Sequence, residues 1–133
     1  MSATEAMQAW LALEHEAVWL HPVLGARFDA LRDRATASFT AHRATRDTLL
    51  QRLRTAGADP VRAELVYDVG PLATAAEAVA AAQALEAKIA AACLALVRDT
   101  EDDDRGDAIR SLTKAALAEL TWDGAAQAFP GLP

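Results

Sequence analysis

The sequence predicts an all-α protein, a bundle of four helices. Three observations carry that expectation. Hydrophobic residues make up 53% of the 133-residue chain but aromatic residues only 5%, so alanine supplies much of the apolar content, and an Ala-rich chain poor in β-branched residues favours close-packed helices over sheets. Apolar side chains recur at three- and four-residue spacing in four separate segments, the mark of helices with one buried stripe. Helix start and stop signals bound those segments.

The first helix is expected from about residue 4 to residue 20 or beyond. Met7, Trp10, Leu13, Ala17, Leu20 and Leu24 form its stripe, and Ser2 with Glu5 has capping-box spacing. Pro22 would remove the bond to the Val18 carbonyl and either kink or end the helix. Gly25 offers a break. The second helix is expected over about 29–56, with Asp29 as N-cap and Gly57 just past its end. Its inner face reads Leu31, Ala35, Phe39, His42, Leu49 and Leu53.

From 58 to 73 the helical pattern fails around Pro60, Gly70 and Pro71. Such a connection is longer than usual for neighbouring antiparallel helices. A long crossover between parallel second and third helices is the device of ferritin-like bundles. Its apolar patch, Leu65, Val66 and Tyr67, is expected to pack across the bundle. The third helix opens on Thr74-Ala75-Ala76-Glu77, read as a capping box, and carries Val79, Ala82, Glu86, Ala90, Cys93 and Val97 on one stripe. Residues 99–106 read as an acidic loop whose Asp102, Asp103 and Asp104 favour the positive end of the next helix. The fourth helix is expected over about 107–125, with Ile109, Leu112, Ala116, Leu120 and Trp122 as core candidates, before a non-helical tail from about 127. Nothing divides the chain, so 1–133 reads as a single domain.

The net charge of −6 gives the chain no long-range attraction for nucleic acid or an anionic membrane surface. Gln83, Glu86 and Lys88 interrupt the most apolar stretch, and residues 1–10 lack the basic start and apolar run of a secretion signal. A cytoplasmic location is expected. The single cysteine, Cys93, excludes an intramolecular disulfide and a Cys-x-x-Cys zinc site; on an apolar face it reads as an inert small hydrophobe.

The stretches LEHEAV at 13–18, AHRATRD at 41–47 and ALE at 84–86, with the turns GAR at 25–27 and GADP at 57–60, resemble the DUF4439 family, actinobacterial ferritin-like domains of unknown function. The resemblance covers the chain from about Ala6 to Trp122. It implies a ferritin-like four-helix bundle and attaches no established activity.

Ionisable residues on core-facing stripes are the ones that can carry chemistry. Glu14, His42 and Glu86 lie in register with apolar neighbours on the first three helices, and Glu119 adds a weaker fourth from the last. A di-iron site takes a Glu from each of two helices and a Glu-x-x-His pair from each of the other two. Here Phe39 stands three residues before His42 and Trp122 three after Glu119, so both pairs are broken. The sequence therefore reads first as a non-enzymatic bundle with a structural or protein-interaction role and a degenerate metal site. In that reading Glu14 and Glu86 share His42 or Arg46 in a buried polar network, no cofactor is held, and a face containing Ala87, Ala91 and Ala92 pairs two copies as a homodimer. The alternative is an iron or manganese protein with oxidase-like activity, using Glu14, His42 and Glu86. A third possibility is a carrier cavity edged by Trp10, Phe39 and Tyr67. His15 and Glu16 are expected to meet solvent or a partner, and His21 to cap or line the irregularity at Pro22.

Overall fold

The computed structural model describes residues 1–124 and 128–132. Among the described residues four helices form the bundle, α1 (Ala3–Arg27), α2 (Arg32–Thr55), α3 (Ala75–Arg98) and α4 (Asp102–Thr121), with a 3-10 turn at Asp29–Leu31.

α1 begins with a complete capping box. The Glu5 amide donates to Ser2 Oγ (3.1 Å), and the Ser2 amide donates to Glu5 Oε2 (2.7 Å). A cap of this kind contributes ~1 kcal/mol. The helix continues through Pro22 to Arg27, so neither Pro22 nor Gly25 ends it. Met7, Trp10, Leu11, Leu20 and Leu24 are all buried from α1, and Leu85, Ile89 and Leu96 from α3. These two helices supply most of the bulky core. α1 packs against both α2 and α3, and α3 against α4. By length and composition α3 could cross a membrane, but Ala82, Leu85, Ile89 and Leu96 are buried inside the bundle.

The chain directions follow from three contacts at one end. Gln83 donates to the Trp122 carbonyl, the Trp122 indole donates to Ser38 Oγ (3.1 Å), and Arg34 donates to the Thr121 carbonyl (3.1 Å). The beginnings of α2 and α3 therefore both lie beside the end of α4, and α2 and α3 run parallel. The crossover, 56–74, must climb the length of the bundle, as in ferritin-like topology. Gly57 starts it at φ +78°, a conformation that favours glycine. α1 guides it: Gln8 bonds the Asp59 carbonyl and the Val61 amide, His15 donates to the Val61 carbonyl (3.0 Å), and Tyr67 packs on Trp19.

Several local expectations are corrected. Asp29 does not cap α2; it sits in the 3-10 turn and pairs with Arg32, so α2 begins three residues later. Leu65 is 99% exposed and Val66 largely so; Tyr67 is the one member of that patch on the bundle. Thr74 caps α3 by accepting from the Glu77 amide (3.1 Å), but the Glu77 carboxylate binds the Thr74 hydroxyl rather than the backbone. α4 starts at Asp102, so the three aspartates form its first turn instead of preceding it. Ile109 and Leu120 are exposed; Ala108, Ala115 and Glu119 face inward instead. α4 ends at Thr121, and the expected extension to Ala125 reaches outside the described residues. Where described, at 128–132, the tail is non-helical.

Candidate metal centre

The site is built along α1. Glu14 sits one turn after Trp10, whose indole donates to Glu14 Oε1 (2.9 Å). Glu14 Oε2 lies 2.6 Å from Nδ1 of His42 on α2, and Nε2 of the same ring lies 2.6 Å from Oε1 of Glu86 on α3. The three residues that share the bundle axis in the sequence register thus form one chain of contacts, carboxylate to imidazole to carboxylate. A carboxylate can only accept, so both ring nitrogens of His42 donate and the ring is an imidazolium. Burial opposes that charge, but the hydrogen bonds to Glu14 and Glu86, with their negative charge, outweigh it and raise the His42 pKa to about 10. Burial likewise opposes the Glu86 anion, and the adjacent rings of His21 and His42 overcome it, holding that carboxyl below its usual range.

His21 completes the group. It follows Glu14 by seven residues, two helical turns, and so emerges from the same face of α1. Its ring lies between the His42 imidazole and the Trp122 indole, with centroids 5.3 Å from each. His21 and Glu86 are each 0% exposed. His21 Nε2 is 3.7 Å from Glu86 Oε1, too far for a hydrogen bond. Among the described residues, neither nitrogen of His21 nor Oε2 of Glu86 has any hydrogen-bond partner. Burial pushes the His21 pKa down, so the ring is neutral and carries a free lone pair. One donor atom each from His21, His42 and Glu86 falls within a mutual distance of 4.8 Å.

The other sequence candidates lie apart. Glu119 is buried from α4 but stands outside this donor group; burial and then the charge of Glu86 push its carboxyl upward. Arg46 turns to Asp47 (2.8 Å) and plays no part in the network. Phe39, expected on the inner face, is half-buried beneath the Arg43 guanidinium. Trp10, Phe39 and Tyr67 do not edge a common cavity: Trp10 lines one opening, Phe39 another, and Tyr67 lies against Trp19. Burial, reinforced by the charges of Glu14 and Glu86, raises the Cys93 thiol, which is inert there. The residue that the sequence register undervalued is His21, marked only by its seven-residue step from Glu14.

These side chains do not fit a dinuclear carboxylate centre. Phe39 stands where the glutamate of one Glu-x-x-His pair would be and Trp122 where the histidine of the other would be, and Trp122 instead stacks on His21. They fit a single ion, because two imidazoles and a carboxylate converge with donor atoms left unsatisfied. Behind His42 stands Glu14, whose Oε2 contacts Nδ1 of that ring and whose Oε1 accepts from the Trp10 indole.

α2 and α4 do not pack closely on each other. Between them runs a groove of about 820 Å³, whose floor includes Trp10, Glu14, His42 and Glu86. The cluster is thus buried yet borders an open channel.

The fold and site define a ferritin-like four-helix bundle with one His-His-Glu donor group in place of a paired carboxylate centre. The chain belongs to the DUF4439 family, described as "Domain of unknown function", which matches residues 6–133. It is similar to the crystal structure of a conserved hypothetical protein, rv2844, from Mycobacterium tuberculosis, with 26% identity, a TM-score of 0.84, and coverage of 91% of this chain and 94% of that one. Among curated proteins, none matches the chain.

Proposed function

We propose that the protein binds a single divalent transition-metal ion through His21, His42 and Glu86, with Glu14 orienting His42. The observation that carries this reading is the condition of His21. A fully buried imidazole with both nitrogens unbonded costs stability, and such groups are rare unless an ion or water serves them. A purely structural network accounts for His42, whose two nitrogens are satisfied, but leaves His21 and one oxygen of Glu86 without partners. A metal ion supplies the electrophile that these lone pairs lack. Two imidazoles and a carboxylate suit iron or manganese, with coordination positions left over for water or a small molecule. Binding requires His42 to lose the Nε2 proton while Glu14 keeps the Nδ1 proton in place.

The test is metal content by plasma mass spectrometry on untagged protein, followed by anaerobic titration with Fe(II) and Mn(II). One equivalent is expected for the wild type and none for His21→Ala or Glu86→Ala. Wild-type protein that carries no stoichiometric transition metal as purified, takes up neither ion, and is not raised in unfolding temperature by either overturns the reading.

A further inference from the structure

The groove between α2 and α4 has a polarity of its own. Its walls carry small residues, Ala41 and Ala44 from α2 and Ala115 and Ala118 from α4. The hydroxyls of Thr45 and Thr48 are taken up by carbonyls of their own helix, so this wall presents little that demands a polar partner. Toward the end remote from Trp122 it is lined by Arg52, Arg110 and Asp107, and Lys114 stands about midway along the groove. Arg110 pairs with Asp107, while Arg52 and Lys114 have no carboxylate partner among the described residues. In a chain of net charge −6 this basic group is a local departure. The floor near the cluster is the opposite: Glu14 and Glu86 place two carboxylates around one imidazolium. Arg52 follows His42 by ten residues on the same helix, a span of ~15 Å.

We propose that this groove binds a single-chain amphipathic carboxylate about as long as dodecanoate. Its headgroup sits among Arg52, Arg110 and Lys114, and its tail lies between α2 and α4 with its end toward His42 and Glu86. The charges fix that direction, because the carboxylate is attracted at one end and repelled at the other. A mostly apolar trough of this size with a few convergent polar groups is the usual form of a small-molecule site. The proposal rests on the metal reading only for what the tail end meets; binding of the chain itself does not need the ion.

Isothermal titration calorimetry with dodecanoate, kept below its micellar concentration, tests it on metal-free and metal-loaded protein. One equivalent is expected to bind both, and acetate to give no signal. Arg52→Glu combined with Lys114→Glu should weaken dodecanoate at least about tenfold. Ala44→Trp, which fills the trough at an exposed position, should abolish dodecanoate binding while the metal content stays at the wild-type level. His21→Ala should do the reverse, losing metal and keeping dodecanoate, so the two readings fail separately. Circular dichroism verifies that each variant is folded. Absence of dodecanoate binding to the wild type, or equal binding by the charge-reversed and trough-filled variants, overturns the proposal. So does a dimer in light scattering that Ala44→Trp dissociates, since a second copy would then occupy the groove.

Discussion

The imidazole of His21 lies parallel to that of His42, with centroids 5.3 Å apart and planes 5° apart, yet the two rings have opposite hydrogen-bonding fates. Among the described residues His42 is bonded at both nitrogens and His21 at neither. A cation can sit beside a neutral ring more readily than beside a second cation, so the charge on His42 helps to keep His21 unprotonated. The protein side chains alone therefore do not close a hydrogen-bond network around His21.

Replacing His21 by leucine separates the contribution of this ring to stability from its contribution to binding. The change removes two buried, unpartnered nitrogens and leaves an apolar side chain against Trp122. Metal-free His21→Leu is expected to match the wild type or exceed it by up to ~1 kcal/mol in urea unfolding. The same variant should lose the rise in unfolding temperature that Fe(II) or Mn(II) gives the wild type. A variant that is less stable without metal and still gains from it would assign His21 to packing.

Glu14 and Glu86 touch the same histidine but should not behave alike. Glu86 offers an unbonded oxygen to the donor group, whereas both oxygens of Glu14 are engaged by Trp10 and His42. Glu14→Gln should lower metal affinity by roughly ten- to a hundredfold, the usual effect of a residue that orients a ligand. Glu86→Gln removes a ligand and should lose more. Competition against a chromophoric chelator measures both; equal losses would put Glu14 among the ligands.

The donor cluster contributes its own pH dependence to the metal-free protein through His42, Glu86 and His21. His42 rises from 6.5 to about 10 on folding, so its stabilising contribution is full below pH 6.5 and disappears as the pH climbs through 10. Glu86 falls below 4.5, so its contribution is present above that value and is lost in acid. His21 falls below 6.5, so its protonation also weakens the fold as the pH drops. Thermal unfolding of metal-free protein should show a maximum near neutrality or slightly below it. His42→Gln should flatten the alkaline side between pH 6.5 and 10. An unchanged alkaline slope in that variant would mean that His42 is not charged in the fold.

The bundle was legible in sequence where bulky side chains carry the stripe. α1 and α3 hold Trp10, Leu11, Leu20, Leu85, Ile89 and Leu96 in the core, and burial of such groups, each worth ~1.5–3 kcal/mol, decides which face turns inward. In α4 that signal misled. Ile109 is 48% and Leu120 44% exposed while Ala108, Ala115 and Glu119 point in, because α3 packs on only one side of α4 and the groove leaves another side open. Register alone placed Glu14, His42 and Glu86 together. Register also puts His21 in line with Glu14, but Pro22 next to it supplied a local reason for a polar residue. The fate of the crossover patch depends on what α1 offers along its outer face, and Gln8, His15 and Trp19 provide hydrogen bonds and one aromatic contact but no cleft for Leu65.

Gly124 ties the end of α4 to the centre. Its amide donates to the Glu119 carbonyl (2.7 Å), and a Cβ on Gly124 would lie 2.6 Å from that carbonyl oxygen, backbone that cannot swing aside. Gly124→Ala must therefore open the turn that holds Trp122, whose indole bonds Ser38 and whose ring backs His21. Urea unfolding should show a loss of ~1–3 kcal/mol. Metal affinity should fall as well, because His21 loses the wall behind it, although no donor atom has been changed. If Gly124→Ala unfolds at lower urea but binds metal as tightly as the wild type, the position of His21 is set by α1 alone, and Trp122 is only a core residue beside it.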